Sequence, residues 1–184
     1  MANPLEPHWR AVKRILRYLS GTFRYGLDLN KSEYLNVVGF SDSDWAGDID
    51  DRRSVSGYCV FLGRNLVSWS SKKQQCVSRS STEAEYRSLA QVTSEISWIK
   101  YLLDELKVVQ TKVPQIWIDN QSAIYLSSNP VLHARTKHIE LNYHFVREKV
   151  AAGLVRVDYV PSADQSADIL TKPLSLQFFT KLRS

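Results

Sequence analysis

The chain has 184 residues, of which 43% are hydrophobic and 23% charged, and its formal net charge is +5. These values predict one folded domain with room for a short extra segment, and they exclude global disorder. Two cysteines are too few for a disulfide framework, and no apolar run approaches the roughly 20 residues of a membrane span. The first residues lack the apolar stretch of a secretory signal, which favours an intracellular location, in the cytoplasm or the nucleus.

The first half of the chain predicts one helix, a strand meander and a second helix. Apolar residues at three- and four-residue intervals predict an amphipathic helix over 5–20. One strand begins at Leu35 and runs into the acidic segment 41–44, and two more cover 56–62 and 66–70. Their short connections favour an antiparallel arrangement. Ser80 then opens a long helix with one mostly apolar face that continues to about residue 107.

The second half alternates strands and helices. Strands are predicted at 116–118 and 155–160, and helices at 122–126, 136–152 and 163–170. From Leu35 onwards the resulting order is β-β-β-α-β-α-α-β-α, which belongs to the α/β class. It predicts a mixed five-stranded sheet, with three antiparallel strands followed by helix-connected parallel strands, flanked by helices.

Four acidic residues lie at the ends of predicted elements. Asp42 and Asp119 end strands, Glu83 lies in the first turn of the long helix, and Asp168 lies in the last helix. Carboxylates are preferred ligands of hard cations such as Mg²⁺, and two such ions about 3.5–4 Å apart can assist phosphodiester cleavage. Each acid also has a structural interpretation, as a turn residue or, for Glu83, as the capping-box partner of Ser80. The spacing alone does not show that the four converge.

Five motifs follow one another along the chain: SDSDWAGD (41–48), SSTEAEY (80–86), WIDNQSA (117–123), RTKHI (135–139) and ADILTKPL (167–174). Together they resemble the ribonuclease H domain of Pol polyproteins from copia-type (Pseudoviridae) LTR retrotransposons. The segment 8–22 resembles the end of the reverse transcriptase that precedes that domain. The resemblance therefore implies a reverse-transcriptase remnant, a helix plus linker, at 1–34 and a ribonuclease H-like domain at 35–184.

The resemblance also implies an activity. In that family the acids that match Asp42, Glu83, Asp119 and Asp168 bind two Mg²⁺ or Mn²⁺ ions and cleave the RNA strand of an RNA–DNA hybrid during reverse transcription. The implied partners are the hybrid and the remainder of the Pol polyprotein, without a membrane or a small-molecule cofactor.

Two acids have close rivals for a place at the metal. Asp44 competes with Asp42 because residues two apart share a strand face. Glu85 competes with Glu83, but the two lie about 200° apart around a helix, so both cannot face one metal. We favour Glu83 for the metal and Glu85 for helix capping.

A hybrid-cleaving enzyme reads phosphates and the 2′-hydroxyl rather than bases, so polar and basic residues near the acids are candidates for substrate contacts. They are Lys72, Lys73, Arg79, Ser81, Asn120, Gln121, Arg135, Lys137 and His138. Many ribonucleases H carry a histidine in the loop before the last helix, and the corresponding segment 161–167 has none. We hypothesise that His138 partly substitutes for it.

Two other functions remain open from the sequence. An inactive or truncated retroelement remnant would bind nucleic acid without cleaving it. The tetrapeptide RILR at 14–17 fits the RxLR pattern of secreted oomycete effectors, although it lies inside the first predicted helix and no signal peptide precedes it.

Overall fold

A computed structural model describes residues 3–129 and 137–183, without the side chains of 137–139. Its strands are β1 (Val37–Asp44), β2 (Val55–Leu62), β3 (Asn65–Lys73), β4 (Gln115–Ile118) and β5 (Arg156–Tyr159). They form one sheet in the order β3-β2-β1-β4-β5. The first three strands are antiparallel, whereas β4 runs parallel to β1 and to β5. The predicted mixed five-stranded α/β architecture is confirmed.

The helices are α1 (Glu6–Thr22), α2 (Ser81–Glu105), α3 (Gln121–Ser128), α4 (Lys137–Ala151), α5 (Asp168–Thr171) and α6 (Leu176–Arg183). Helix α2 packs its apolar face on the sheet, where Leu89 and Ile116 are completely buried. Helices α3 and α4 contact α2 and each other, while α5 contacts β1 and β2. The core therefore fixes α2 relative to the central strands β1 and β4.

The last part of the chain differs from the sequence prediction. The expected continuous helix at 163–170 is wrong, because it divides into a short 3₁₀ helix (Ser162–Asp164) and α5. Gln165 lies between them, and its buried side chain accepts a hydrogen bond from the backbone N–H of Ala167 at 3.2 Å. This local hydrogen bond competes with a regular helix. Helix α6 was not predicted.

The first helix forms at the expected place but has little cover. No residue of α1, which lies within the described range, is buried. Tyr18 contacts Phe179 with ring centroids 6.3 Å apart, so α1 touches α6. Asn30, in the linker that follows α1, exchanges two hydrogen bonds with Asn65 of β3. The domain boundary near residue 34 remains a prediction.

Candidate metal centre

Three carboxylates converge at one edge of the sheet. Asp42 lies near the carboxyl end of β1, Asp119 directly follows β4, and Glu85 lies near the start of α2. One oxygen from each lies within 4.8 Å of the others. Asp42 is completely buried and Glu85 is 6% exposed. Because β1 and β4 are parallel neighbours, their carboxyl ends meet at the same edge, and α2 adds its glutamate there.

The structure reverses the expected positions of the two glutamates. The Glu83 carboxylate accepts hydrogen bonds from the backbone N–H of Arg79 and from the Arg87 guanidinium, both at 2.9 Å. The Glu83 N–H in turn donates to the Ser80 hydroxyl at 3.2 Å. Glu83 therefore caps α2 and lies outside the convergent group. Glu85 is two residues further, about 200° around the helix, and faces the sheet edge instead.

The two aspartates of β1 also have different partners. The Asp44 carboxylate accepts a hydrogen bond from the backbone N–H of Val55, so it holds the loop that joins β1 to β2. The Asp42 carboxylate accepts hydrogen bonds from the Thr171 hydroxyl and the Lys172 ammonium group. Asp42, not Asp44, belongs to the convergent group.

Asp168 is linked to this group through a lysine. The Lys172 ammonium lies 2.8 Å from Asp168 Oδ1 and 3.0 Å from Asp42 Oδ1. Burial raises the pKa of Asp168 to about 6, although the Lys172 hydrogen bond opposes this shift. Gly57 of β2 permits the close approach of α5, since a Cβ there would lie 2.5 Å from the Thr171 methyl group. The absence of a side chain at Gly57 thus helps to place Asp168 beside Asp42.

Glu85 has the properties expected of a metal ligand. Burial, followed by the charges of Asp42 and Asp119, raises its pKa to about 9. Its Oε2 atom is buried without a hydrogen-bond partner among the described residues. A buried carboxylate oxygen without a donor is costly, and a cation would stabilise it. The all-oxygen donor set fits Mg²⁺ or Mn²⁺ rather than zinc, which favours nitrogen and sulfur.

Two residues that the sequence analysis missed tie the loop 161–167 to this edge. Ser162 Oγ donates to Asp119 Oδ2 at 2.7 Å. The Gln165 side-chain amide donates to the Ser41 carbonyl at 3.0 Å, which connects the loop to β1. Neither residue could be predicted from the sequence, because isolated polar residues in a loop follow no periodic pattern. Lys172 was missed despite a usable signal, its position four residues after Asp168.

Basic residues line a groove of about 480 Å³ beside α2. Lys72, Lys73 and Arg87 contribute to its wall, together with polar side chains of α2 and α4. Lys73 also forms ion pairs with Asp48 at 2.5 Å and Asp51 at 2.8 Å. The groove therefore contains two of the predicted substrate-binding residues, and their role in binding remains a prediction.

The other predicted substrate residues are dispersed. Arg79 and Ser81 are exposed at the start of α2, and Gln121 is exposed at the start of α3. Asn120 caps α3, because its side-chain oxygen accepts a hydrogen bond from the Ala123 N–H at 3.0 Å. Three predicted contacts lie outside the part that the structure describes: all of Arg135 and the side chains of Lys137 and His138.

The sheet order, the position of α2 and the acidic edge define a ribonuclease H-like fold. A crystal structure of LC11-RNase H1 in complex with an RNA/DNA hybrid superimposes with a TM-score of 0.53. The match covers 74% of this chain and 94% of that chain. The sequence identity is 12%, so the likeness establishes the fold alone.

Sequence relatives identify the family. The retrovirus-related Pol polyprotein from transposon RE2 of Arabidopsis thaliana is 54% identical over 175 residues, 95% of this chain. That from transposon RE1 of the same plant is 53% identical over all 184 residues. The chain therefore belongs to the copia-type retrovirus-related Pol polyproteins of transposons. It spans 12% and 13% of the lengths of these two relatives.

One further relative concerns the effector alternative. Secreted RxLR effector protein 161 of Plasmopara viticola is 49% identical over 98 residues, which are 53% of this chain and 69% of that protein. No protein-family model matches the chain. Among the described residues, no helix is both long and apolar enough to cross a membrane.

Proposed function

We propose that this chain is a retrotransposon ribonuclease H that cleaves the RNA strand of RNA–DNA hybrids during reverse transcription. The observation that carries the proposal is the convergence of Asp42, Glu85 and Asp119, together with a buried oxygen of Glu85 that has no hydrogen-bond partner among the described residues. Kinship with transposon Pol polyproteins supports it, as does a fold shared with an enzyme solved on an RNA/DNA hybrid.

Two Mg²⁺ or Mn²⁺ ions are the proposed cofactors. The ions would be bound by four acids, Asp42, Glu85, Asp119 and Asp168. Glu83 instead caps α2. When bound, such ions lower the pKa of a water and stabilise the leaving oxygen of a phosphodiester. The Ser162 hydroxyl would orient Asp119 through its hydrogen bond to Oδ2, so the loop 161–167 would help to position this acid.

The basic groove is the proposed binding surface for the hybrid backbone. Lys72 supplies positive charge beside α2, and Lys73 and Arg87 would add to it on release from their acidic partners Asp48, Asp51 and Glu83. Phosphate contacts there would be independent of sequence and weakened by salt. Arg135, Lys137 and the hypothesised substitute His138 are further proposed contacts. The remainder of a Pol polyprotein is the proposed protein partner, and the intracellular location remains a prediction.

Hybrid cleavage tests the proposal directly. Purified protein with Mg²⁺ or Mn²⁺ should cleave the RNA of a labelled hybrid and leave 3′-hydroxyl and 5′-phosphate ends. Asp42→Asn and Asp119→Asn should abolish cleavage while they preserve hybrid binding. Asp104→Asn is the matched control, since Asp104 is exposed near the far end of α2. Binding without cleavage by the unmodified chain would instead support the inactive remnant.

The effector alternative has weaker support. The transposon Pol relatives match 95% and 100% of the chain, whereas the effector relative matches 53%. The RILR tetrapeptide lies inside α1, as the spacing of apolar residues predicted. A secretion assay on a longer transcript, with export of the protein as the supporting result, would test that alternative separately.

A further inference from the structure

Lys172 occupies an unusual position between two acids of the proposed metal centre. Its ammonium lies 3.0 Å from Asp42 Oδ1 and 2.8 Å from Asp168 Oδ1. The Asp42 side chain is completely buried and that of Asp168 is 12% exposed. Two carboxylates this deep in the protein need a nearby positive charge, and the lysine supplies it.

The same contacts would conflict with a bound cation. One oxygen of Asp42 accepts from Lys172 and the other accepts from the Thr171 hydroxyl, so both oxygens already have donors. A divalent cation on Asp42 and Asp168 would lie against the ammonium group, and like charges at that distance repel strongly. The Lys172 side chain is 36% exposed, and its flexible stem can carry the ammonium group out to solvent.

The geometry points to Lys172 as an internal counter-ion that stabilises the metal-free centre and must be displaced when a divalent cation binds. This inference rests on the metal site of the proposed function and adds a competitor to it. Lys172 is thus a positioning residue that sets the metal affinity. The lysine keeps Asp42 and Asp168 together before metal arrives, and it weakens the binding of metal to them.

Competition predicts opposite effects of removing the charge. In Lys172→Met the metal-free protein loses its counter-ion and should unfold at a lower temperature. The same variant no longer has to displace an ammonium group, so its affinity for a divalent cation should rise. A purely structural lysine would lower both stability and affinity when replaced, because a distorted site binds metal less well.

Calorimetric titration with Mn²⁺ and thermal unfolding in EDTA or saturating Mn²⁺ would test the inference on the full chain. For Lys172→Met we expect a lower Tm in EDTA, a smaller difference in Mn²⁺, and a Kd for Mn²⁺ lower by about fivefold or more. Lys172→Arg keeps the charge and should retain a Kd near that of the unmodified chain. Lys112→Met, at an exposed site, is the surface control.

Several outcomes would overturn the inference. They are an unchanged or weaker Mn²⁺ affinity in Lys172→Met, equal tightening in Lys172→Arg, and a Lys172→Met protein that fails to fold even in saturating Mn²⁺. Neither measurement depends on hybrid cleavage. If Lys172→Met binds Mn²⁺ more tightly but the unmodified chain does not cleave a hybrid, the nuclease proposal is rejected and the counter-ion role of Lys172 is supported. If the unmodified chain cleaves a hybrid but Lys172→Met has an unchanged Mn²⁺ affinity, the counter-ion role is rejected and the nuclease proposal is supported.

Discussion

Helices α1 and α2 carry similar sequence patterns in very different surroundings. Both place apolar residues at three- and four-residue intervals, yet twelve residues of α2 are buried and none of α1. Leu16 of α1 is 55% exposed, whereas Leu89 of α2 is completely buried. The difference teaches that such spacing indicates a helix with an apolar face but does not supply a surface to cover it. Helix α2 packs on the sheet, whereas α1 has no buried residue and contacts α6 through Tyr18 and Phe179.

The same difference bears on where chemistry can be placed. Glu85 is followed in α2 by the fully buried Tyr86, and the Ser88 hydroxyl donates to the Asp42 carbonyl at 2.8 Å. These contacts fix the helix against β1, so the glutamate is held at the sheet edge by the core itself. Sites supported in this way keep their geometry better than sites on loosely packed segments.

The sharpest test of this placement compares the two glutamates of the first turns of α2. Glu85→Gln should reduce hybrid cleavage by at least about 100-fold, because it removes a carboxylate from the convergent group. Glu83→Gln should leave cleavage within about fivefold and lower the free energy of unfolding by about 1 kcal/mol through the weakened cap. Gel-based cleavage assays and urea unfolding measure the two effects.

Stability provides a second readout for the same pair. The pKa of Glu85 is raised from 4.5 to about 9 in the folded, metal-free protein, so stability is lost as pH rises from about 5 towards 9. In EDTA, Glu85→Gln should therefore be more stable than the unmodified chain at pH 8, with a smaller gain near pH 5.

Full loss of cleavage in Glu83→Gln, with activity kept in Glu85→Gln, would contradict the assignment of Glu85 to the convergent group.

A smaller but still large effect, on the free energy of unfolding, is expected where α2 packs on the sheet. Leu89→Ala should lower the free energy of unfolding by about 2–5 kcal/mol, because it leaves a cavity beneath the sheet. The midpoint of urea unfolding at constant slope measures the loss. Any decrease in cleavage should follow the fraction unfolded. A loss below about 1 kcal/mol would show that α2 packs less closely than its burial indicates.

Much of this organisation could be predicted from the sequence, and the exceptions have physical causes. Asp42 and Asp119 were predicted at the ends of strands, but their convergence was not, because the parallel pairing of β1 with β4 that brings those ends to one edge is visible only in the structure. The choice between Glu83 and Glu85 failed, since each follows a hydroxyl residue at capping-box spacing and only the packing of α2 decides which one faces the sheet. The contact of Lys172 with Asp42 joins residues 130 positions apart, and no local pattern encodes it.

The smallest expected effect is on α1, where the same truncation has little to remove. Leu16→Ala should change the free energy of unfolding by no more than about 0.5 kcal/mol, since the side chain is already 55% exposed. The matched comparison with Leu89→Ala uses identical chemistry in the two helices, so any difference reports burial alone. A loss above about 1 kcal/mol would mean that Leu16 is covered in solution. In that case another surface would cover the apolar stripe of α1. The two helices would then differ in what covers them and not in whether they are covered.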